Sequence, residues 1–312
     1  MRQQAQLQDL IEAIGIVPTI QFDSLGDVLP LADSIVRGGI PLIEVMLRNE
    51  VSVKALEVIC AKRPDIVAGA GTVTNTEQVG IAKRAGAKFI VAPGFNSKVV
   101  AACQKHNLPI IPGCVTPSEV EAGLDMGLRV FKFFPAWQHG GRDAIRMLAG
   151  PYPTARFIPT GGLGPQDIEA FLSLKSVLAI GGDFMVWDNA VARKDWKQIS
   201  ETCRKAVLGA VRFQLKAVAS DDLEQGSDIQ RLLSTLAESL PKEQVAVFAR
   251  KSDKTRLFFS TLRLSRAIRL LETQGFRPLP DEPRHTAPDY ADAIEMMGPD
   301  GKLLVCLTER IS

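Results

Sequence analysis

The stretch LIEVMLRNEVSVKALEVICAKRPDIVAGAGTV, residues 42–73, contains one complete strand–helix–strand unit. Two short runs within it, Leu42–Leu47 and Ile66–Ala68, are almost wholly apolar, as parallel strands buried on both faces usually are. Between the two runs, apolar side chains recur at the spacing of one helix face, at Val51, Ala55, Val58 and Ile59. The stretch therefore predicts two parallel strands joined by a helix.

The same unit recurs through the first two thirds of the chain. Eight short apolar runs begin 20 to 26 residues apart, at Ile16–Ile20, Leu42–Leu47, Ile66–Ala68, Phe89–Ala92, Pro109–Ile111, Val130–Phe134, Arg156–Ile158 and Val177–Ile180. Eight such units within about 200 residues predict a (β/α)8 TIM barrel, which we place at residues 1–215. A doubly wound open sheet uses the same units, but no GxGxxG motif follows the first strand and no GxxxxGK[ST] motif occurs.

The last hundred residues have a different pattern, and we predict that residues 216–312 form a smaller α+β domain. A long helix is predicted from Asp195 to about Val218, and the polar run Ser220–Asp228 indicates a linker. The predicted elements beyond it are a helix, two strands, a second helix and a hairpin strand, at Ile229–Leu240, Gln244–Arg250, Thr255–Ser260, Leu264–Thr273 and Leu303–Leu307.

Composition and charge exclude several classes of function. Of the 312 residues, 46% are apolar, and 37 basic residues against 35 acidic residues leave a net charge of +2. We expect no nucleic-acid partner from so small a charge, and no membrane partner because no apolar run reaches ~18 residues. The five cysteines and three histidines are scattered, so we predict reduced thiols, a cytoplasmic protein, and neither a metal site nor a cofactor.

The barrel prediction places the chemistry where strands run into the loops that follow them. Glycine and proline crowd these junctions, and the few polar side chains among them are Glu44, Arg48, Thr72, Lys132, Thr160 and Asp183. Lys132 is the only lysine at the C-terminal end of a predicted strand, and phenylalanines flank it on both sides. Such surroundings favour the neutral amine, which is the nucleophile required for a Schiff base with a carbonyl substrate. The alternative is a lysine that snorkels from the sheet edge or forms a structural ion pair with Glu44.

Three further residues support the same chemistry, and each also has a plainer explanation. Glu44 interrupts an apolar strand, where it serves either as a buried ion-pair partner or as a general acid–base group. Arg48 has a guanidinium suited to a substrate carboxylate, or it is a solvated rim residue. Thr72 hydrogen-bonds a substrate or caps the next helix. Because no metal ligands accompany them, these residues and Lys132 together point to Schiff-base chemistry.

Two glycine pairs, Gly161-Gly162 and Gly181-Gly182, follow the seventh and eighth predicted strands. In barrels these two loops often bind a phosphate through backbone N–H groups and the start of a short helix. We predict that short helix at Phe184–Trp187. The alternative is that the two glycine pairs only form tight turns.

Seven motifs occur in order along the predicted barrel. They are LIEVMLR, GAGTV, APG, IPG, FKFFPA, PTGG and KSVLAIGG, which begin at residues 42, 69, 92, 111, 131, 159 and 175. Over residues 5–210 the chain thereby resembles the 2-keto-3-deoxy-6-phosphogluconate (KDPG) and 2-keto-4-hydroxyglutarate (KHG) aldolases. The resemblance implies a class I aldolase on a (β/α)8 barrel, usually a homotrimer and without a cofactor, that binds a small 2-keto acid and releases pyruvate.

The resemblance also implies roles for individual residues. It makes Lys132 the residue that forms the Schiff base and Glu44 the acid–base group, which acts together with a water. The residues implied to hold the substrate carboxylate are Arg48, Thr72 and Thr160. Two further residues of the implied pocket are Pro93 and Phe134.

The far end of the implied site departs from the family pattern. There the glycine pairs Gly161-Gly162 and Gly181-Gly182 would bind a phosphate, but the family generally has serine where this chain has Asp183. Many members also have arginine after the first strand, where this chain has Gln21. Either Asp183 turns away and caps the helix after it, or the far end of the substrate is not a phosphate.

Residues 256–307 have a weaker resemblance, to one βαβββ module of the glyoxalase superfamily. Metal sites in that superfamily need histidine and glutamate on strands, and only His285 and Glu295 are candidates here. We therefore expect no metal in this part of the chain. Its expected role is in oligomerisation or regulation.

For the whole chain, these patterns and resemblances predict a Schiff-base aldolase. It would cleave a 2-keto-3-deoxy (phospho)sugar acid or 4-hydroxy-2-oxoglutarate to pyruvate and an aldehyde. Two alternatives within enzymology are an aldolase for an unphosphorylated 2-keto acid and an oxaloacetate decarboxylase that uses the same iminium. The alternative outside enzymology is a catalytically silent barrel that acts as a sensor or scaffold through its C-terminal domain.

Overall fold

The computed structural model describes residues 2–186, 188–211, 214–219, 246–248, 255–261, 263–279, 294–299 and 303–309. The chain divides into two compact units, Met1–Val207 and Leu208–Ser312. In the described part of the chain, no helix has the length and apolar character that crossing a lipid bilayer requires.

Strands and helices alternate along the first unit. The strands are β1 (Ile16–Ile20), β2 (Leu42–Met46), β3 (Val67–Gly71), β4 (Ile90–Val91), β5 (Ile110–Ile111), β6 (Val130–Phe133), β7 (Arg156–Pro159) and β8 (Ile180–Gly182). The helices are α1 (Arg2–Ile14), α2 (Val28–Arg37), α3 (Glu50–Lys62), α4 (Thr76–Arg84), α5 (Ser97–Lys105), α6 (Pro117–Asp125), α7 (Gly141–Ala149), α8 (Ile168–Leu172), α9 (Asp188–Ala192) and α10 (Trp196–Val211). Each of the eight predicted apolar runs overlaps one of these strands, so the strand prediction is confirmed.

The strands of the first unit are parallel, which makes the unit an α/β fold with a curved parallel sheet. Six of them form one sheet in the order β5-β4-β3-β2-β1-β8, and β6 pairs with β7. The Lys132 N–H donates to the Pro112 carbonyl, 2.8 Å away, just beyond the end of β5. On the other side, the Leu178 N–H, shortly before β8, donates to the Phe157 carbonyl of β7 at 3.0 Å.

The interior of the first unit is apolar because its strands are covered on both faces. Every residue of β1, β6 and β8 is buried. The buried polar and charged side chains of this unit are few, and they include Glu44 on β2 and Lys132 on β6. A charged group in such an interior is costly unless it is paired, so this pair marks the place where chemistry is expected.

Polar side chains at the helix starts fix several of the loops that follow the strands. The N-cap residues of α3, α4, α5 and α6 each accept a hydrogen bond from a backbone N–H of the first helical turn; they are Asn49, Asn75, Asn96 and Thr116. Thr116 and Glu119 form a reciprocal capping box. The Thr116 hydroxyl oxygen accepts from the Glu119 N–H, and the Glu119 carboxylate accepts from the Thr116 N–H. These caps hold the strand ends and the loops after them in a defined geometry.

The second unit is built on one mixed sheet. Its described elements are β9 (Gln214–Ala219), β10 (Ala246–Phe248), β11 (Thr255–Thr261), α11 (Leu264–Thr273), β12 (Arg277–Pro278), β13 (Ile294–Met297) and β14 (Leu303–Glu309), with the strand order β10-β9-β11-β14-β13-β12. The succession β11-α11-β12-β13-β14 follows the predicted βαβββ order. Leu257, Phe259, Leu271 and Val305 belong to its apolar core.

Part of the prediction for the junction of the units is wrong. The helix predicted to reach Val218 ends at Val211, and residues 214–219 form β9, which pairs with β10 and with β11. Pairing along two strand edges outweighs the local helical preference of this segment. The boundary between the units lies at residue 207, whereas the predicted boundary at residue 215 falls inside β9. The predicted linker Ser220–Asp228, the predicted helix Ile229–Leu240 and His285 lie outside the described residues.

Candidate active site

The centre of the site is an ion pair between two strands that are not sheet neighbours. Lys132 on β6 places its Nζ 3.1 Å from Oε1 of Glu44 on β2. The exposed fractions of the two side chains are only 9% and 3%. The structure therefore brings together the two residues that the sequence singles out for proton transfer and nucleophilic attack.

The position of the Glu44 side chain explains why residue 71, in the neighbouring strand β3, is a glycine. Glu44 pairs in register with Thr19 of β1 on one side and with Gly69 of β3 on the other. A Cβ atom on Gly71, at the end of β3, would overlap Oε1 of Glu44 and would lie 2.7 Å from its Cγ. Glycine is needed there because the carboxylate fills the space that any side chain would take.

Lys132 is held by a rigid backbone and an aromatic neighbour. Its carbonyl accepts a hydrogen bond from the Cys114 N–H at 2.8 Å, and its Cα is in register with that of Ile158 on β7. The Lys132 Nζ lies 5.3 Å from the centre of the Phe134 ring, within the range of a cation–π interaction. The amine is thus fixed in position, while the half-buried Phe134 lines one side of it.

Arg48 and Thr72 follow the two strands that carry Glu44 and Gly71. Arg48 is exposed, and its N–H donates to the Met46 carbonyl at 2.8 Å, where the chain leaves β2. Thr72 is half-buried and has a φ of 60°, a left-handed conformation that is strained for threonine. Asn75, not Thr72, caps α4, so the helix-cap alternative for Thr72 is wrong. Among the described residues, neither side chain makes a hydrogen bond or ion pair with Lys132 or Glu44, and both follow strands at the same end of the sheet.

Thr160 follows β7 and is buried beside β8. Its Oγ1 donates to the Ile158 carbonyl at 3.4 Å, and its N–H donates to the Phe133 carbonyl at 3.0 Å. A Cβ atom on Gly181 would overlap Oγ1 of Thr160. This second close approach of a glycine to a polar side chain ties the ends of β7 and β8 together.

The loop after β7 makes tight contact with the loop after β6. Gly161 and Gly162 have φ values of 96° and 72°, which glycine adopts readily and other residues do not. A Cβ atom on Gly162 would lie 2.8 Å from the Cβ of Trp137. Within the described part of the chain, the N–H groups of Gly162 and Asp183 have no hydrogen-bond acceptor. These two groups are therefore available to a bound molecule.

Asp183, directly after β8, is exposed. Its carboxylate makes no hydrogen bond or ion pair to any other residue that the structure describes. The Val186 N–H donates to the Asp183 carbonyl at 2.8 Å, so Phe184–Val186 form a turn and the next helix begins at Asp188. The predicted helix at Phe184–Trp187 is therefore wrong in the part that the structure describes, and Trp187 lies outside the described residues. The turn leaves Asp183 with no helix to cap at that position.

Near the end of β1, where many family members have arginine, Gln21 hydrogen-bonds a carboxylate of this chain. The Gln21 Nε2 donates to Asp23 Oδ1 at 3.1 Å, and the Asn49 Nδ2 donates to the same oxygen at 3.1 Å. Pro93, the remaining predicted pocket residue, is half-buried after β4, and its carbonyl oxygen occupies the space that a Cβ on Gly113 would need. Pro93 thus belongs to the same rim of strand ends.

Two features of the site are not evident from the residue types alone. Trp137, the second residue after the Phe134-Pro135 dipeptide, is 63% exposed although it is large and apolar. Its position directly after the FKFFPA motif is the sequence signal that points to it. The Cys114 N–H donates to the Lys132 carbonyl, so the two residues are neighbours in space. Burial raises the pKa of the Cys114 thiol. That thiol is therefore a poor nucleophile.

Comparisons with known proteins agree on the first unit. The family model described as KDPG and KHG aldolase matches residues 7–202. The chain is 40% identical over 203 residues to the 2-dehydro-3-deoxy-phosphogluconate aldolase of Dickeya dadantii. The aligned region covers 65% of this chain and 95% of that protein. It is 41% identical over 195 residues to the KHG/KDPG aldolase of Escherichia coli K12, with 62% of this chain and 92% of that protein covered.

Two solved structures are similar to the same region. One is the KDPG aldolase of Legionella pneumophila with pyruvate captured as a covalent carbinolamine; it is 38% identical with a TM-score of 0.62 and covers 64% of this chain and 97% of that chain. The other is the aldolase of Zymomonas mobilis ZM4 with 3-phosphoglycerate; it is 30% identical with a TM-score of 0.61 and covers 65% of this chain and 95% of that chain. The family match ends at residue 202, before the second unit begins.

Proposed function

The chain belongs to the family of KDPG and KHG aldolases, and from that membership we propose how its residues cleave a 2-keto-3-deoxy acid. It is a lyase, a class I aldolase that works through a Schiff base. Its substrate class is a small keto acid from which pyruvate is released. The observation that carries the residue assignments is the 3.1 Å separation of Lys132 Nζ and Glu44 Oε1.

Schiff-base formation begins with proton transfer within this pair. Glu44 accepts a proton from the Lys132 ammonium, which leaves a neutral amine with a free electron pair. The amine attacks the C2 carbonyl carbon of the keto acid. Proton transfers between the nitrogen, the former carbonyl oxygen and Glu44 give a carbinolamine, which loses water to form an iminium.

The iminium then accepts the electrons of the bond that breaks. The C4 hydroxyl loses its proton to the Glu44 carboxylate, the C3–C4 electron pair moves into the iminium, and the aldehyde leaves. Protonation of the resulting enamine at C3 restores the iminium. Addition of water to C2 then releases pyruvate and returns Lys132 as an amine.

The substrate carboxylate is assigned to Arg48, Thr72 and Thr160. Arg48 supplies a guanidinium that can bind a carboxylate with two hydrogen bonds, and its exposed side chain is free to turn towards the site. The strained backbone of Thr72, next to the glycine that faces Glu44, supports a binding role because strain of this kind is concentrated at functional sites. Pro93 and Phe134 are assigned to the pocket wall.

We infer that the eight strands of the first unit close into a (β/α)8 barrel. Support comes from the hydrogen bonds that link β6 to the end of β5 and β7 to the segment before β8, beside the six-stranded sheet that already joins β8 to β1. The aldolase activity is assigned to the first unit, Met1–Val207, and oligomerisation or regulation to the second unit, Leu208–Ser312. A trimeric assembly and a cytoplasmic location remain predictions from the family.

The assignment of Lys132 is tested by comparing two lysine variants. We expect Lys132→Arg to abolish pyruvate release from 2-keto-3-deoxy-6-phosphogluconate and from its unphosphorylated analogue, because a guanidinium cannot form the Schiff base. Lys54→Arg, on the exposed surface of α3, is the matched control and should keep wild-type turnover. Pyruvate release is followed by its enzymatic reduction. Turnover by a folded Lys132→Arg protein would show that another residue is the nucleophile.

A further inference from the structure

We propose that the part of the site formed by the loops after β1, β7 and β8 binds an uncharged, hydroxyl-bearing substrate end. On this proposal, the preferred substrate is an unphosphorylated 2-keto-3-deoxy sugar acid. The inference rests on the proposed function, since it assumes that the keto end is bound at Lys132. It concerns only the other end of the same substrate.

The charges at these three strand ends are negative. The four residues after each strand, at 21–24, 160–163 and 183–186, include two carboxylates, Asp23 and Asp183, and neither lysine nor arginine. Asp23 already accepts hydrogen bonds from Gln21 and Asn49. Asp183 is exposed and unpaired among the described residues, so its carboxylate is available to a ligand.

A phosphate or carboxylate placed here would meet repulsion without a compensating cation. Two like charges at contact distance repel each other, most strongly where the bound ligand displaces water from between them. The backbone N–H groups of Gly162 and Asp183 are uncharged donors. They therefore stabilise an anion less than a lysine or arginine side chain would. A hydroxyl group suits the same atoms better, since it can donate to the Asp183 carboxylate and accept from the N–H groups.

An aromatic side chain beside these donors supports the same ligand chemistry. Trp137 is 63% exposed, and its Cγ would lie 3.5 Å from a Cβ placed on Gly162. An indole ring at this position offers an apolar face on which the C–H groups of a polyol chain can pack. On this proposal, the Asp183 carboxylate, the N–H groups of Gly162 and Asp183, and Trp137 from the neighbouring loop after β6 together bind a neutral polyol.

The cations of the site are assigned to the keto-acid end. Lys132 reacts with the ketone, and Arg48 binds the carboxylate in the proposed function. The site thus pairs cations with the charged end of the substrate and a carboxylate with its far end. A substrate with a single negative charge matches this arrangement, and a substrate with an additional phosphate does not.

The test compares kcat/KM for 2-keto-3-deoxygluconate and 2-keto-3-deoxy-6-phosphogluconate at matched ionic strength in three full-length proteins. We expect the wild-type protein to prefer the unphosphorylated acid. Asp183→Asn removes the charge with little change in shape and should shift the ratio towards the phosphorylated acid at least fivefold. Asp125→Asn removes an exposed charge at the end of α6, before the start of β6, and should leave the ratio unchanged.

Two results would overturn the proposal. One is a wild-type preference for the phosphorylated acid, and the other is a ratio in Asp183→Asn within twofold of the wild-type ratio. Borohydride trapping of pyruvate, which lacks a far end, is measured on all three proteins in parallel. If trapping at Lys132 fails in the wild-type protein, the proposed function itself is wrong, whereas normal trapping with an unshifted ratio rejects only the inference about Asp183.

Discussion

The Lys132 amine and the Glu44 carboxylate lie 3.1 Å apart although 88 residues separate them along the chain. Both side chains are buried, so each charge depends on the other for stabilisation. The same contact places a proton acceptor on the nucleophile. Structural and chemical roles are therefore combined in one pair, and variants of Glu44 must be assessed for both.

Glu44→Gln is expected to lower kcat by a factor of roughly 10² to 10⁴, because the amide cannot exchange protons with the substrate. It should also lower the free energy of unfolding by about 3–5 kcal/mol, since the buried Lys132 charge loses its partner. Turnover and chemical denaturation measure the two effects separately. A Glu44→Gln protein with wild-type kcat would reduce Glu44 to an ion-pair partner.

Gly71→Ala tests whether the position of the Glu44 carboxylate matters. The added methyl group would overlap Oε1 of Glu44 and force the carboxylate away from Lys132. We expect kcat to fall on the order of 10²-fold, as a displacement of about 1 Å can cause. Gly26→Ala is the matched control, because the nearest atom to its Cβ would be Ser24 Oγ at 3.6 Å, an ordinary contact. Equal activity in the two variants would contradict the geometric argument.

The capping box of α6 predicts a pH-dependent contribution to stability. Burial disfavours ionisation of Glu119, but hydrogen bonds from the Val115 N–H and from the N–H and hydroxyl of Thr116 outweigh it and lower the pKa of the carboxyl. Because the folded-state pKa lies below the unfolded value, this contribution is present above the ordinary pKa of 4.5 and is lost as the pH falls through the folded-state pKa.

Glu119→Gln should therefore lower the free energy of unfolding by about 1 kcal/mol at neutral pH, and the difference from the wild-type protein should shrink in acid. Denaturant titrations over this pH range measure it. Glu77→Gln, in the first turn of α4, is the control, since no capping box involves it. A difference that is independent of pH would mean that the Glu119 charge does not contribute.

A truncated chain tests the assignment of the activity to the first unit. All proposed site residues and the whole family match lie before residue 203. A chain that ends after Val211, the last residue of α10, should therefore release pyruvate from its substrate. The same truncated chain with Lys132→Arg is the control. A folded truncated protein without activity would show that residues beyond 211 are required.

The sequence predicts the strands of the first unit well because the signal is local. Strands buried on both faces need continuous apolar residues, and Ile16–Ile20 is recovered with the same bounds in the structure. Helix Leu264–Thr273 of the second unit is also recovered, owing to its strong apolar periodicity. The Lys132–Glu44 ion pair is among the alternatives that the sequence leaves open, but its distance depends on packing across the sheet and not on local pattern.

The failures of the sequence prediction have tertiary causes. Residues 214–219 look helical in isolation, and pairing with β10 and β11 makes them a strand. The turn after Asp183 replaces a predicted helix because the Asp183 carbonyl bonds the Val186 N–H. The close approaches of Gly71 to Glu44 and of Gly181 to Thr160 arise between neighbouring strands, so the glycines alone do not identify their partners.

The most direct test of the account is the site of covalent attachment of pyruvate. The full-length protein is incubated with pyruvate, reduced with borohydride and digested, and the peptides are analysed by mass spectrometry. We predict one modified peptide, with the reduced pyruvyl adduct on Lys132, and no adduct in Lys132→Arg. An adduct on another lysine, or a wild-type protein that retains its mass while it cleaves substrate, would contradict the assignment of Lys132 as the Schiff-base residue.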